Sequence, residues 1–277
     1  MTCSAILAGL APARRSGAAL VATLTLALLP GFSQAGACGD NIHGERVACS
    51  CGDQVVADVV LQQDDPVVLG PCSGDGLLIK LPTGVDGITI NLGGHRISGN
   101  GGGTGIRVVD GGRLGSVIVG GTDGARGEIT GFRTGISAHG TAVLREVRGL
   151  DVRGNRSDGL RMRSNDVLVI DVNSEGNGGD GMAVSGRDVE VADVTASDNV
   201  GDGVRVRGSG VKVAAETMGN LGNGAVVSGR NSRADAVRST NNGGVGLITS
   251  GSGSEVGRVH AQENARGNVA VRKGDAK

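Results

Sequence analysis

The sequence predicts an all-β chain built as a stack of coils, with parallel sheets wound around one shared apolar core. Three observations carry that prediction. A glycine followed by an apolar residue recurs at Gly159-Leu160, Gly181-Met182, Gly203-Val204, Gly224-Ala225 and Gly246-Leu247, at intervals of 22, 22, 21 and 22 residues, and Asn268-Val269 follows after another 22. Four residues before each of these stands an asparagine: Asn155, Asn177, Asn199, Asn220, Asn242 and Asn264. After each glycine, apolar residues alternate with polar or small ones, as in Gly159-Leu-Arg-Met-Arg163 and Gly203-Val-Arg-Val-Arg207. That is the mark of a strand whose successive side chains point to opposite faces. Two residue types held in fixed phase at one period denote an array of one supersecondary unit. One unit cannot bury its apolar face alone, so units stack at about 4.8 Å into continuous sheets.

Taken in chain order, residues 1–37 read as a secretory signal. Arg14 and Arg15 precede an apolar run of 12 residues, Ala18 to Leu29, and small-residue cleavage sites follow at Ser33-Gln34-Ala35 and Ala35-Gly36-Ala37. A bilayer span needs roughly 20 residues, so no transmembrane segment is expected. The chain is therefore expected to be secreted, periplasmic or at the cell surface. A small residue precedes Cys38, as in lipid-anchored proteins, but Ala35 stands where bacterial lipoproteins carry leucine, and this argues against an anchor.

Residues 38–80 are expected to form an N-terminal cap and a first coil. Beyond the signal lie Cys38, Cys49, Cys51 and Cys72, an even count in one short segment of an exported chain, which reads as two disulfides. Three pairings are possible. Cys38 with Cys49 and Cys51 with Cys72 is the favoured set. A zinc site is disfavoured, since there is no second C-x-x-C and His43 is the only nearby histidine.

Residues 81–277 carry the repeats. Leu160, Met182, Val204, Ala225 and Leu247 are expected to face inward, with Met162, Val184, Val206, Val227 and Thr249 beside them. A second alternating run follows in each unit, as in Asp166–Val172 and Asp188–Val194, so a coil holds two or three short strands. The fixed asparagine suits a ladder, because its amide can bond the same amide in the coils above and below and its backbone tolerates the left-handed turn conformation. Earlier glycines, Gly76, Gly105, Gly135 and Gly159, are 29, 30 and 24 residues apart, which places inserted loops at Gly99–Gly103 and Gly120–Gly124.

The 20-to-24-residue coils, the stacked asparagines and the run Asp86-Gly-Ile-Thr-Ile-Asn-Leu-Gly-Gly-His-Arg-Ile-Ser-Gly99 resemble the pectin-lyase-like superfamily. The segment from Cys51-Gly-Asp to Cys72-Ser-Gly-Asp-Gly-Leu-Leu-Ile79 resembles the N-terminal part of its exported bacterial members. The resemblance implies a right-handed single-stranded parallel β-helix of about nine coils over roughly residues 38–272. It implies little about activity, because that superfamily includes lyases, hydrolases, epimerases, adhesins and proteins of unassigned role.

The resemblance also places function on the exposed face of the first sheet. Alternation puts Arg107, Ser137, Arg161, Ala183, Arg205, Val226, Ile248 and Ala270 in one column there, and Val109, His139, Arg163, Ser185, Arg207, Ser228, Ser250 and Arg272 in the next. Neither column contains the carboxylates that glycoside hydrolysis needs. The N-x-D, D-D and G-H-G set of polygalacturonases is absent from the coils, as are the R-x-P-x-x-R of pectate lyases and the D-P-H-E of mannuronan epimerases. Phe132 is the only aromatic residue beyond the signal, so the aromatic platforms common in sugar clefts are missing too.

What the face offers is cationic. Arg107, His139, Arg161, Arg163, Arg205 and Arg207 form a candidate strip for carboxylate or sulfate, set against the plain reading of solvated side chains over apolar surface. A separate column, Asp158, Asp180 and Asp202 with Asn223 after them, must offset its own repulsion, either by turn hydrogen bonds or by a calcium ion. Loss of Arg14 and Arg15 with the signal leaves 25 basic against 28 acidic residues, a charge of −3, which points away from nucleic acid. The expectation is a monomeric, exported, non-catalytic binding or structural scaffold without cofactor, for acidic polysaccharide; the competing reading is a polysaccharide lyase on an acidic glycan.

Overall fold

The computed structural model describes residues 36–82, 84–139 and 144–273, so residues 1–35 of the expected signal lie outside the described residues. The described chain is a parallel β-helix of about ten coils, one more than expected, with 2% helix. Twelve strands form a first sheet and eleven a second. Each later coil contributes one strand to each. Registry in the first sheet follows the period: Leu160, Met182, Val204, Ala225, Leu247 and Val269 are successive partners. All the residues expected to face inward are buried, from Leu160, Met182 and Val204 to Thr249. The alternation was read in the right phase.

Spacing explains the periodic glycine. A Cβ at Gly181 would lie 2.6 Å from the Gly203 carbonyl oxygen and 2.6 Å from Asn199 Nδ2, and Gly203 and Gly246 are confined in the same way. No side chain fits between the ladder and the next coil's backbone. Asn268 occupies the equivalent position in the last described coil, and its Oδ1 accepts a hydrogen bond from Nδ2 of Asn264, the last rung (3.2 Å).

The asparagines do form a continuous buried ladder. Nδ2 of each donates to Oδ1 of the next, from Asn155 to Asn177 (2.9 Å), on through Asn199 (3.0 Å), Asn220 (2.9 Å) and Asn242 (2.9 Å) to Asn264 (2.9 Å). The left-handed conformation is not theirs, however. It belongs to the residue before each: Gly154, Gly176, Asp198, Gly219, Asn241 and Glu263 have φ of 62, 62, 55, 67, 56 and 56°. That residue turns the chain, and the turn aims the following amide inward. Asn155 also begins a nominal glycosylation triplet, but it is buried with its amide engaged in the ladder.

The second sheet departs from strict alternation. Val169 and Val172 are both buried, as are Val191 and Val194, because a left-handed Asp171 or Asp193 inserts two outward positions between them. Each later coil has one long strand here, kinked at Asp171 in Leu168–Glu175 and at Asp193 in Glu190–Ser197. In earlier coils the same path is two strands: Ser116–Val119 and Gly127–Thr130 pair with the two halves of Leu144–Arg153, and the predicted loop around Gly120–Gly124 separates them.

At the N-terminus, Ala37–Ile42 and Glu45–Val47 form the one antiparallel pair among the described residues, at the edge of the first sheet. Disulfides join Cys38 to Cys49 and Cys51 to Cys72, with Cα separations of 5.1 and 5.4 Å. The favoured pairing holds, although residues 48–52 are irregular and a turn, not a strand. Asp65 is fully buried beneath the hairpin, where it accepts from the Cys49 and Gln62 N–H groups (2.9 and 2.7 Å) and from Arg46 (2.6 Å). Among the described residues no helix is long and apolar enough to cross a membrane.

Candidate functional site

Parallel stacking in register turns sequence spacing into a surface. On the outer face of the first sheet, Arg107, Ser137, Arg161, Ala183, Arg205 and Val226 are successive partners, as are Arg163, Ser185, Arg207, Ser228, Ser250 and Arg272. Arginines thus stand two coils apart with alanine or serine between them. The gap is a groove of about 420 Å³, floored by Ala183 and Ser185 and walled by Arg161 and Arg163 on one side and Arg205 and Arg207 on the other, with His139 at its edge. A second depression of about 490 Å³ continues it from Arg207 to Arg272. Arg107 lies two coils outside and lines neither.

The five arginines of the expected strip fall into two classes. Arg107 is paired with Asp75, and Arg161 with Asp158 (3.2 Å). Arg205 bridges Asp202 (2.6 Å) and Asp180 (3.3 Å). Arg163 and Arg207 are exposed and carry no ion pair among the described residues. The cause is reach. Arg161 and Arg205 lie three positions past a turn aspartate and fold back onto it, and Arg107 reaches Asp75 in the preceding coil, whereas Arg163 and Arg207, two residues further along their strands, make no such pair.

The aspartates were expected to stand apart from the strip; they form its rim. Asp158 Oδ1 accepts the Asp180 N–H (2.9 Å), Asp180 Oδ1 the Asp202 N–H (2.8 Å), and Asp202 Oδ1 the Asn223 N–H (2.7 Å). Turn hydrogen bonds, with arginine counter-charge, hold this column. No group of three or more His, Cys, Asp or Glu among the described residues is arranged to hold a metal ion. Burial raises the Asp180 carboxyl above its ordinary pKa; Asp202 and Asp158 push the same way, while the Asp202 N–H and Arg205 oppose them. Burial works against the Arg205 charge, but Asp180, Asp202 and Asp158 outweigh it and hold the guanidinium above its usual value. His139 is pushed below its ordinary value by partial desolvation, then by Arg161 and Arg163.

With both oxygens of each aspartate engaged, these carboxyls are held as structural acceptors. Sequence reasoning kept Asp158, Asp180 and Asp202 separate from the arginines, although the i, i+3 spacing of Asp158 with Arg161 and Asp202 with Arg205 was a usable signal. It also enumerated Arg272 without adding it to the strip. The chain matches no known family, curated protein or solved structure.

Proposed function

We propose that this protein is an exported, monomeric β-helix of the pectin-lyase-like kind, in which residues 38–80 cap the repeats and the first-sheet groove holds an acidic polysaccharide without cleaving it. The observation that carries this reading is the separation of the cations. Arg161 and Arg205 are neutralised by turn aspartates, while Arg163, Arg207 and Arg272, in one column along the helix axis, carry no ion pair among the described residues. The first two are separated by roughly 9–10 Å, twice the strand spacing, and the next by three coils. Such a line suits a linear polymer bearing carboxylate or sulfate, because guanidinium donors match those groups. Disulfides suit an oxidising location outside the cytoplasm.

The test is retention on polygalacturonate and on heparin at low salt. Wild type should bind one of them and be released by moderate salt, because exposed charges are screened beyond about 8 Å at physiological ionic strength. Arg163→Ser with Arg207→Ser should abolish retention at unchanged melting temperature. Equal retention of wild type and variant, or none by wild type, ends this reading. The lyase reading draws support from one observation, the His139 imidazole held toward its neutral, proton-accepting form beside Arg161 and Arg163. Its test is the ultraviolet absorbance of an unsaturated uronate product.

A further inference from the structure

A groove of about 720 Å³ lies on the other sheet and crosses four coils. It opens where the second sheet slips register twice, with Val191 and Val194 against Val213 and Ala215, and then Val213 and Ala214 against Ala234 and Ala236. Ala214 and Ala236 present only a methyl group to the outside there. Arg238, Arg258 and His260 close its C-terminal end: Arg238 is the direct cross-strand partner of His260, and Arg258 stands two residues before His260 on the same strand.

Four other arginines of this sheet have carboxylate partners: Arg96 and Arg153 both reach Glu128, Arg148 reaches Glu146, and Arg233 reaches Asp235 and Glu255; Arg145 has none among the described residues. Arg258 and His260 have none among the described residues, and the one acid beside Arg238, Glu216, stands 3.9 Å away. Three side chains with nitrogen donors lining one end of a small-residue floor are the parts of an organic-ligand site, an apolar bed with a few polar groups.

We propose that this groove is a second binding site, separate from the first-sheet face, for an organic anion: an apolar body lies over Ala214 and Ala236, and a carboxylate or equivalent acidic group is taken by Arg238, Arg258 and His260. An anion there would also offset the clustering of positive charge that the fold leaves in place.

The test uses the whole protein and the His260 ring proton in nuclear magnetic resonance as a local reporter, with benzoate as the probe and inorganic sulfate as the comparator. Benzoate should shift the His260 signal at lower concentration than sulfate does. Arg238→Ser with Arg258→Ser should weaken benzoate about tenfold or more, the worth of one charge-assisted hydrogen bond. Ala236→Leu, an exposed position whose change fills the floor, should weaken benzoate and leave sulfate unchanged. Far-ultraviolet circular dichroism confirms that each variant is folded. Absence of a benzoate shift at His260, a shift indifferent to both variants, or sulfate as effective as benzoate would overturn the proposal.

Discussion

The asparagine ladder and the aspartate ladder run side by side, three residues apart in every coil from Asn155 and Asp158 to Asn220 and Asn223, and they satisfy their hydrogen bonds by opposite means. A carboxamide both donates and accepts, so a buried asparagine rung completes itself with the next rung. Each Oδ1 also reaches back to the N–H of the preceding rung, as from Asn177 to Asn155 (3.1 Å) and from Asn199 to Asn177 (3.0 Å). A carboxylate only accepts. The aspartate rungs reach forward to the next coil's N–H and then need donors from outside the ladder, which Arg161 and Arg205 provide. Where Asn223 replaces aspartate, its own Nδ2 donates to Asp202 (2.9 Å) and the column ends without a further cation. Charged rungs consume arginines, and the contrast shows why only some cations on this face are available to a ligand.

Exchanging the chemistry of the two ladders should produce the largest effect. Asn199→Asp puts a carboxylate where exposure is 0% and removes the donor that serves the Ser174 carbonyl and Asn220 Oδ1. The expected cost at pH 7 is about 3–5 kcal/mol, that of an uncompensated buried charge. Asn199→Ala should cost only about 1–3 kcal/mol, from the donors it orphans. Denaturant unfolding should rank aspartate below alanine at pH 7, and the aspartate deficit should shrink toward about pH 4 as the buried carboxyl takes up a proton. Equal stability of the two variants at pH 7 would erase the distinction between the ladders.

A smaller effect separates the arginine classes. Arg205→Ser leaves Asp180 and Asp202 without their shared counter-charge and should cost about 1 kcal/mol. Arg207→Ser, two residues along the same strand, should lie within about 0.5 kcal/mol of wild type. Thermal melts of both variants decide it; equal losses would mean that the two columns are not differently used.

The smallest effect is expected at Asp180. Its carboxyl titrates above the ordinary value because of burial, so the folded state holds that proton more tightly than the unfolded chain. The stability linked to this group is present below the unfolded pKa and is lost as pH rises through the folded one. At neutral pH the charge is therefore a net cost, and Asp180→Asn should stabilise by a few tenths of a kcal/mol. The gain should vanish in melts run below the ordinary carboxylate range. A loss of stability at pH 7 would show that the Arg205 attraction outweighs burial.

Much of this was readable before the fold. Column membership of Arg161, Ala183 and Arg205, and the inward set from Leu160 to Leu247, followed from period and alternation alone. The pairing of Arg161 with Asp158 did not, because counting along a strand says which face a side chain leaves from and nothing about where a long flexible one ends. The left-handed residue was misplaced by one position: glycine, aspartate, asparagine and glutamate all occupy it, so it shows no composition to recognise. The second-sheet groove was hidden for a similar reason. It depends on two one-residue slips, at Val191–Val194 and Val213–Ala214; the single 21-residue interval records that a residue is missing from one coil, but not which strand absorbs the loss.

By itself the sequence determined the stack, its buried ladder and its columns, because in-register parallel pairing makes a residue's neighbour the one 21 or 22 positions away. The tertiary structure alone decided which charges meet across a turn, which cations are left unpaired, and where the sheet bends to open a groove. Those outcomes depend on side-chain reach and on single-residue changes in backbone direction, and a period carries information about neither.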